Sequence, residues 1–503
     1  MTTPAPPPRP LDPPQPVAPD DLAPTVLPLL AAGARLALVA AHDEPEGIRI
    51  VHTYLTPGTL PQEVETTVAH GADGIPSLAA HSYPAGRFER EVRDLFGVTP
   101  LHHPLPRRLV RHGHWPTGHY PMRRDAVADP VFVPDTGSFP FLEVTGDGVY
   151  EIPVGPVHAG LIEPGHFRFS VVGETILRMK ARLWFVHRGV EKLFEGRAPQ
   201  DGVELAERIS GDTAIGHTLA YVTAVEQALG MPCPTPDAFL RSALLELERL
   251  HNHVADLGAI VNDVGYGIVH AHTQAQRERL LRHNKAVTGH RLLRGAIRPG
   301  GTVLRQLPDL ELVADVAAQV EDIVELALGN HVVLDRLTGT SPLPADEARR
   351  IGVLGYVAKA SGLAIDARRD HPLTPAHPAL EPVEPVVEQT GDVLARFLVR
   401  AREVRQTADL VAALVTAARH TSGSELPAPA RHHDGRGLGI VEAWRGTLVH
   451  RVEIRDGLVR RCKVVDPSFF NWPALPVALR DTIVPDFPLT NKSFNQSYAG
   501  NDL

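Results

Sequence analysis

Apolar and polar positions follow two different periods along this chain. Arg49–Leu55 alternates and is rich in β-branched residues, which predicts a half-buried strand. From 236 to 265 the apolar residues recur every three to four positions between an early Pro and a final Gly, which predicts a long helix. The same period predicts further helices at 87–97, 273–293, 311–337, 345–361 and 384–420.

Strand patterns return on both sides of the helical region. Tyr150–Gly160 and Phe167–Glu174 are strand-like, and the last 65 or so residues contain a hairpin signal at Asp456-Gly457. We therefore predict an α+β fold, with a small α/β N-terminal domain before a mainly α-helical domain with flanking β-structure. The predicted boundaries are a Pro-rich disordered tail (1–25), a first domain (26–125), a linker (126–149) and a second domain (150–503).

Composition narrows the class of protein. The 503 residues hold 50 Lys+Arg and 59 Asp+Glu, a net charge of −9, so the basic excess of a nucleic-acid binder is absent. The one apolar stretch of membrane length, Leu22–Ala41, is broken by prolines and reads as helix, turn and strand, so we expect no direct membrane span. No signal peptide is expected at the start.

Cysteine usage limits the metal chemistry. Only Cys233 and Cys462 occur, so the chain cannot supply four thiolates to an iron–sulfur cluster or a structural zinc. We predict no metal and no cofactor bound by this chain alone.

Five short blocks carry the chemistry: 155–169, 187–196, 207–217, 442–446 and 464–472. In the first, His158 and Glu163 stand in a Gly/Pro-punctuated loop, which either aims them at a pocket or is a plain hairpin with surface polar groups. In the second, His187 and Arg188 are either pocket residues or part of a salt-bridge cluster at a helix start.

These blocks, with ELERLHNH, HRLLRGAIRPGG and ASGLAIDARRDHP, resemble a known family. Residues 150–503 resemble the large subunit of membrane-bound, complex-I-related (group 4) nickel–iron hydrogenases and the homologous 49-kDa subunit of respiratory complex I. Residues 87–125 resemble complex I's 30-kDa subunit, and a fusion of the two is typical of formate-hydrogenlyase-type large subunits.

The resemblance implies a subunit of a membrane-associated oxidoreductase complex. Its partners would be a small iron–sulfur subunit, which holds the clusters, and antiporter-like membrane subunits. Its place would be peripheral, on the cytoplasmic side of the cell membrane. Electron transfer or proton coupling is the implied role, and a non-catalytic scaffold or an NAD(P)H–quinone oxidoreductase-type subunit are the alternatives.

Departures from the family pattern concern the metal ligands. The family's four nickel-binding cysteines fall on Ser210, Thr213, Ser468 and Asn471. Neutral hydroxyls and an amide are poor nickel ligands, so a normal nickel–iron centre and hydrogenase activity are not expected. The family's maturation histidine is also missing, because no His follows His450.

The quinone contacts of complex I are changed as well. They fall on Ile162 and Gly211, which offer no hydrogen-bonding side chain, so quinone binding stays open. By the resemblance, Glu163 matches a proton-passing glutamate and Arg445 an arginine above the metals, while Asp212 is an extra acid. These three residues are proton-path candidates, or else remnants of a dead site. Other pocket candidates are His158, His187, Arg188 and Asp466.

Two histidine-rich motifs have simpler interpretations. The histidines His102, His103, His112, His114 and His119 fit no tight ligand set, and we predict a surface-exposed docking segment. The HNH triplet at 251–253 lies inside the periodic helix, so a nuclease motif is rejected.

Overall fold

The computed structural model describes residues 8–135, 137, 139–160, 162–378, 380–421 and 432–503. Residues 1–7 of the predicted disordered tail lie outside the described residues. The strands are β1 (Gln15–Pro16), β2 (Arg35–Glu44), β3 (Gly47–Leu55), β4 (Gln62–Val68), β5 (Ile75–Pro76), β6 (Pro100–Leu101), β7 (Val149–Val154), β8 (His166–Val172), β9 (Thr175–Arg182), β10 (Ile297–Arg298), β11 (Gly301–Thr302), β12 (Gly435–Ala443), β13 (Gly446–Arg455) and β14 (Leu458–Val465).

Helices dominate the middle of the chain. The α-helices are α1 (Leu22–Ala31), α2 (Tyr83–Phe96), α3 (Val190–Phe194), α4 (Gly202–Ala206), α5 (Ala214–Leu229), α6 (Thr235–Asn262), α7 (Gly267–Thr288), α8 (Leu310–Leu328), α9 (His331–Leu337), α10 (Ala345–Ile351), α11 (Gly355–Ala360), α12 (Ala367–Asp370), α13 (Val393–His420), α14 (Pro467–Asn471), α15 (Leu475–Ala478), α16 (Phe487–Phe494) and α17 (Tyr498–Asp502). Short 3-10 turns lie at Pro19–Asp21, Trp472–Ala474 and Val484–Asp486.

The first domain is a four-stranded sheet in the order β1-β4-β3-β2, with α2 packed against β2. α2 starts at the Ser82 cap and ends at Gly97, whose φ of 83° suits glycine. The predicted helix, turn and strand at 22–41 are confirmed. The described part of the Pro-rich segment is not a disordered tail: Gln15 and Pro16 pair with β4, because the peptide carbonyls and the Gln15 amide remain available for an edge ladder. No helix among the described residues is long and apolar enough to cross a bilayer.

The second domain is built around two antiparallel helices of 28 residues, α6 and α13. The sheet β12-β13-β14 packs on α5, and the hairpin turn at Asp456-Gly457 is confirmed. Gly435, Gly437 and Gly439 line the face of β12 toward α5. A Cβ at Gly439 would lie 1.8 Å from the carbonyl oxygen of Ala220, so only glycine allows this close approach.

Three predicted helices differ from the structure: two are interrupted and one starts later than predicted. The helix predicted at 311–337 is interrupted, because the Asn330 side chain caps a new helix by accepting from the amides of Val332 and Val333. The helix predicted at 345–361 is broken at Gly352, where φ is 82°. The last long helix starts at 393 rather than 384, behind the Asp392 cap.

Buried ion pairs hold the two domains together. Arg451 on β13 contacts Glu63 on β4 at 2.8 Å, and Lys463 on β14 contacts Glu91 on α2 at 2.7 Å. All four residues are buried. Residues 126–148 between the domains contain no regular strand or helix in their described part.

Candidate functional site

The four positions on which the resemblance places the family's cysteines lie at two loop–helix junctions. Ser210 and Thr213 precede α5, while Ser468 and Asn471 belong to α14, directly after β14. All four side chains are buried. The C-terminal segment Asn495–Leu503 lies against them and bonds to Ser210, Ser468 and Asn471.

Ser497 joins the two junctions. Its Oγ lies 2.9 Å from the Oγ of Ser210, and its backbone N–H donates to the Oγ of Ser468 at 3.0 Å. The same Ser497 Oγ accepts from the N–H of Gly500 at 2.9 Å. The Ser210 hydroxyl donates to Asp212 at 3.0 Å, so the Ser497 hydroxyl must donate to Ser210.

Asn471 bonds to the backbone of Leu354 and to the side chain of Gln496, the residue before Ser497 in the C-terminal segment. Its Oδ1 accepts from the N–H of Leu354 at 2.8 Å, and its Nδ2 donates to the Oε1 of Gln496 at 3.2 Å. Thr213 donates to Asp212 at 3.2 Å and accepts from the indole N–H of Trp444 at 3.1 Å. Each of the four replaced positions therefore has its hydrogen bonds inside the chain.

Asp212 and Arg445 form a two-pronged ion pair beside these groups. The guanidinium nitrogens lie 2.6 and 2.7 Å from the two carboxylate oxygens, and Arg445 Nε donates to the carbonyl of Asn495 at 2.6 Å. The guanidinium also stacks on Trp444, 4.0 Å from the ring centre. Burial by itself would raise the pKa of Asp212, but the charge and hydrogen bonds of Arg445 bring it to about 2.

A second polar chain lies behind the ion pair. The Oδ2 of Asp466 is 3.1 Å from His217 Nε2, and His217 Nδ1 is 3.0 Å from His450 Nε2. Burial and the neighbouring His217 hold the pKa of His450 well below its ordinary value. Burial opposes ionisation of Asp466, yet its hydrogen bond to His217 leaves the pKa lowered. Sequence reasoning missed both histidines, although each lies in or beside one of the five blocks.

The remaining pocket candidates contact the C-terminal segment or its surroundings. Glu163 accepts from the N–H of Ala499 at 3.0 Å, and His187 Nδ1 lies 2.7 Å from the carbonyl of Asp502. Arg188 donates to the carbonyl of Ile209 at 2.6 Å, beside Ser210. These contacts bring Glu163, His187 and Arg188 to the same region as the replaced positions.

Three other positions named from the sequence differ from this pattern. His158 bonds within its own loop, with Nε2 2.7 Å from the carbonyl of Gly165. Ile162 is 44 % exposed and Gly211 is also exposed, with open space where a side chain would stand. The former quinone-contact positions therefore lie at the surface of the site.

The histidine-rich segment is only partly at the surface. His103 is buried and its Nε2 lies 2.9 Å from the carbonyl of Gly86, so the prediction of a wholly exposed docking segment is wrong at this residue. The neighbouring Leu109–Arg111 is also buried, because the Asp94 carboxylate accepts from its backbone amides. The HNH triplet lies within α6, as expected.

The donor set does not fit a nickel–iron centre. Such a centre needs thiolates, whereas Ser210, Thr213, Ser468 and Asn471 offer neutral oxygen and amide groups that are already bonded within the chain. One other group of potential ligands occurs in the described ranges, His42 with Glu44 and Glu453. Arg49 and its neighbouring arginines already pair with these carboxylates, so the group forms ion pairs.

A 30-kDa-type α/β domain fused to a mainly helical 49-kDa-type domain defines the class of hydrogenase-like large subunits. Family models agree: "Respiratory-chain NADH dehydrogenase, 30 Kd subunit" matches 16–130, "Nickel-dependent hydrogenase" matches 188–257, and "Respiratory-chain NADH dehydrogenase, 49 Kd subunit" matches 263–433. The chain belongs to the group 4, complex-I-related hydrogenase large-subunit family.

Individual relatives support this membership. The chain is 33% identical to formate hydrogenlyase subunit 5 of Escherichia coli, over 82% of this chain and 74% of the relative. It is 34% identical to hydrogenase-4 component G of the same organism, over 85% and 76%. A chain of the membrane-bound sulfane sulfur reductase, an archaeal respiratory membrane complex, shares the fold with a TM-score of 0.65 and 24% identity, over 72% of this chain and 100% of that one.

Proposed function

We propose that this chain is a subunit of a membrane-associated, hydrogenase-related oxidoreductase complex, and that its pocket serves proton coupling or electron transfer without a nickel–iron centre. The observation that carries the proposal is that Ser210 and Ser468, two of the four matched ligand positions, bond to Ser497 beside the Asp212–Arg445 ion pair.

The site's own residues can hold charge and protons at defined atoms. Arg445 keeps Asp212 ionised at neutral pH, so this carboxylate is a fixed negative charge. Glu163 is half-buried and uses one oxygen on the amide of Ala499. Its carboxylate therefore stands between the surface loop and the C-terminal segment, where it can exchange a proton with either side.

The partners in this proposal are a small iron–sulfur subunit, which holds the clusters, and antiporter-like membrane subunits. Through them this chain would lie peripherally on the cytoplasmic side of the cell membrane. The relatives named as membrane-bound hydrogenase and formate hydrogenlyase subunits support a role inside such a complex. Val157, Ile162 and Phe185 are exposed apolar side chains near the site and suit a protein partner. The proposal names no quinone, because Ile162 and Gly211 carry no hydrogen-bonding side chain.

Metal content is the first test. The complex is purified with its neighbouring subunits, and nickel is measured together with the infrared bands of iron-bound carbonyl and cyanide. Iron–sulfur iron without nickel and without those bands supports the proposal. One nickel per chain with the bands would overturn it.

A second test separates a working site from a scaffold. The hydrogen bonds that close the site also favour a purely structural role, so substitutions must distinguish the two. Glu163→Gln and Arg445→Ala should abolish the activity of the complex while it still assembles, whereas exposed Glu174→Gln should change nothing. Full activity in both site variants, with assembly lost on charge reversal at Arg188, would establish the scaffold.

A further inference from the structure

A separate cavity of about 610 Å³ lies on another side of the helical domain. Its walls come from α6, α13, β12 and the segments 371–378 and 380–383, and its lining is largely apolar. Pro372 and Glu381 at the rim are exposed, whereas the lining residues Glu246 and Glu442 are buried and the Arg368 side chain is 8 % exposed. The inner wall of the cavity, away from the solvent, therefore contains ionisable side chains.

These three residues belong to a larger buried group, which we name the acid–base cluster. Its members are Glu246, Arg249, His253, Lys359, Asp366, Arg368, Glu403 and Glu442. Lys359 holds the cluster together, with its Nζ 2.6 Å from Asp366 and 2.8 Å from Glu403. Arg368 contacts Asp366 at 2.7 Å and Glu246 at 3.2 Å.

The cluster continues along the contact between α6 and α13. Residues Glu246, Arg249, His253 and Asp256 lie on one face of α6, three or four positions apart, opposite Thr407, Glu403 and Arg400 of α13. The His253 Nε2 is 2.7 Å from Glu403, and Arg400 contacts Asp256 at 2.9 Å. We call this row of polar contacts the α6–α13 seam, and from Glu246 to Asp256 it spans about 15 Å.

The far end of the seam reaches the candidate site. Asp256 Oδ1 accepts from the side-chain amide of Asn495 at 2.6 Å. The backbone carbonyl of Asn495 in turn accepts from Arg445 Nε, which pairs with Asp212. The seam thus runs from the cavity to the ion pair of the site.

The acid–base cluster holds one more carboxylic group than permanent cations. Its four carboxylic side chains stand against three cations, since His253 is the only other titratable member. Outside the cluster, Arg35 acts on both Glu442 and Asp370, and Asp370 pairs with the less buried Arg369 at 2.8 Å. Within the cluster itself, one carboxylic group is therefore left without a cation of its own.

Glu442 is the carboxyl group with the weakest compensation. Its Oε2 accepts from Thr447 at 2.8 Å and from the amide of Ala367 at 3.0 Å, but Oε1 is 3.9 Å from Lys359. Within the described part of the chain, Oε1 has no hydrogen-bond partner. Burial first, and then the negative charge of Asp366, raise the pKa of Glu442 to about 7, against the lowering effect of Lys359 and Arg249.

We infer that Glu442 is a second proton-binding site, loaded from the cavity, and that the α6–α13 seam connects it to the Asp212–Arg445 site. Binding of the proton to Oε1 converts the carboxylate into a carboxylic acid and balances the cluster. For transfer inward, the Lys359 ammonium releases a proton to Glu403 as it takes the one from Glu442. The protonated Glu403 passes this proton to His253 Nε2 when the ring carries its own proton on Nδ1, and the resulting imidazolium releases the Nδ1 proton. The His253 Nδ1 has no hydrogen-bond partner among the described residues.

The proton-binding site is tested on the isolated full chain, independently of the proposed function. Infrared titration in H₂O and D₂O follows the C=O stretch of a buried carboxylic acid, and wild-type minus Glu442→Gln difference spectra assign it. The difference is needed because burial also raises the pKa of Glu89 to about 7 and of Glu248 to about 8. Gln at 442 keeps an oxygen for Thr447 and Ala367, so the fold is retained.

The expected result is one carboxylic-acid band that disappears as the pH rises through about 7 and is absent in Glu442→Gln. Thr447→Val removes a donor to the ionised carboxylate, so the midpoint should move to higher pH. Exposed Glu381→Gln at the cavity rim is the matched control and should leave the band unchanged. Identical acid bands in wild type and Glu442→Gln would overturn the inference.

The connection along the seam rests on the proposed function and is tested in the purified complex. His253→Gln can still bond Glu403 but cannot relay a proton, so oxidation of reduced viologen should slow about tenfold or more. The Glu442 band should persist in this variant. Unchanged turnover would refute the route and leave the proton-binding site standing, because the comparison of wild type with Glu442→Gln decides the site separately.

Discussion

The hydroxyl of Ser497 should be the main tie between the C-terminal segment and the rest of the site. Ser497→Ala removes two hydrogen bonds, the one accepted from Gly500 N–H and the one donated to Ser210. The backbone contacts of residue 497 with Ser468 and Trp472 remain, so the substitution isolates the side chain.

The magnitude follows from what is left unpaired. A buried amide without a partner costs about 1–3 kcal/mol, and loss of one of the two bonds of Ser210 costs about 0.5–1.5 kcal/mol. Together these give about 3 kcal/mol. Since about 1.4 kcal/mol is tenfold in an equilibrium, local opening of the C-terminal segment should become about a hundredfold more frequent.

Hydrogen–deuterium exchange with mass spectrometry measures this directly on the peptide that covers 495–503. Ser242→Ala is a matched control, because its hydroxyl bonds only to the carbonyl of Ala238 within α6. That variant should leave exchange of the C-terminal peptide unchanged. If Ser497→Ala accelerates exchange less than about threefold, well below the tenfold that about 1.4 kcal/mol produces, the C-terminal segment is held by other contacts.

Three further predictions concern the domain contact, the ion pair of the site and the close packing of β12. Arg451→Met leaves Glu63 buried without its cation and should lower the free energy of unfolding, measured in urea, by about 3–5 kcal/mol. The control Arg349→Met breaks an exposed pair and should change this free energy by less than about 1 kcal/mol. The pKa of Asp212 is depressed, so its pair with Arg445 stabilises the fold above the ordinary carboxyl pKa and loses this effect as the pH falls toward about 2. Asp212→Asn should therefore flatten the acid side of the curve of unfolding free energy against pH in that window. An unaltered curve would contradict the pairing. Gly439→Ala places a methyl group against the Ala220 carbonyl and should sharply reduce the yield of folded protein, while Gly457→Ala, which has open space, should cost only about 1 kcal/mol because of its left-handed φ.

Local patterns in the sequence were enough for the main elements. Periodicity predicted α6, the strand around Arg49–Leu55 and the hairpin at Asp456-Gly457, because each depends on neighbours a few residues away. The breaks at Asn330 and Gly352 were missed, since both sides of each break share one apolar period and the cap decides where the helix stops.

The site needed information that no local pattern contains. The resemblance pointed to Ser210 and Ser468, but their shared partner, Ser497, is 287 residues from Ser210. In the same way, the unpaired oxygen of Glu442 follows from the packing of α6, α11, α12 and β12, and its own block gave no sign of it. Contacts between distant segments are set by the tertiary fold, so residue types alone could not rank these groups.

The buried pairs Arg451–Glu63 and Lys463–Glu91 have a consequence for how the two domains can be separated. If the chain is cut in residues 126–148, each half exposes charged side chains that have lost their buried partners in the other half. Two co-expressed fragments should therefore find each other and reassemble as a non-covalent pair. Either fragment made alone should be retained by chaperones or aggregate, so the peptide link serves to fix stoichiometry, while recognition is encoded in the contact itself.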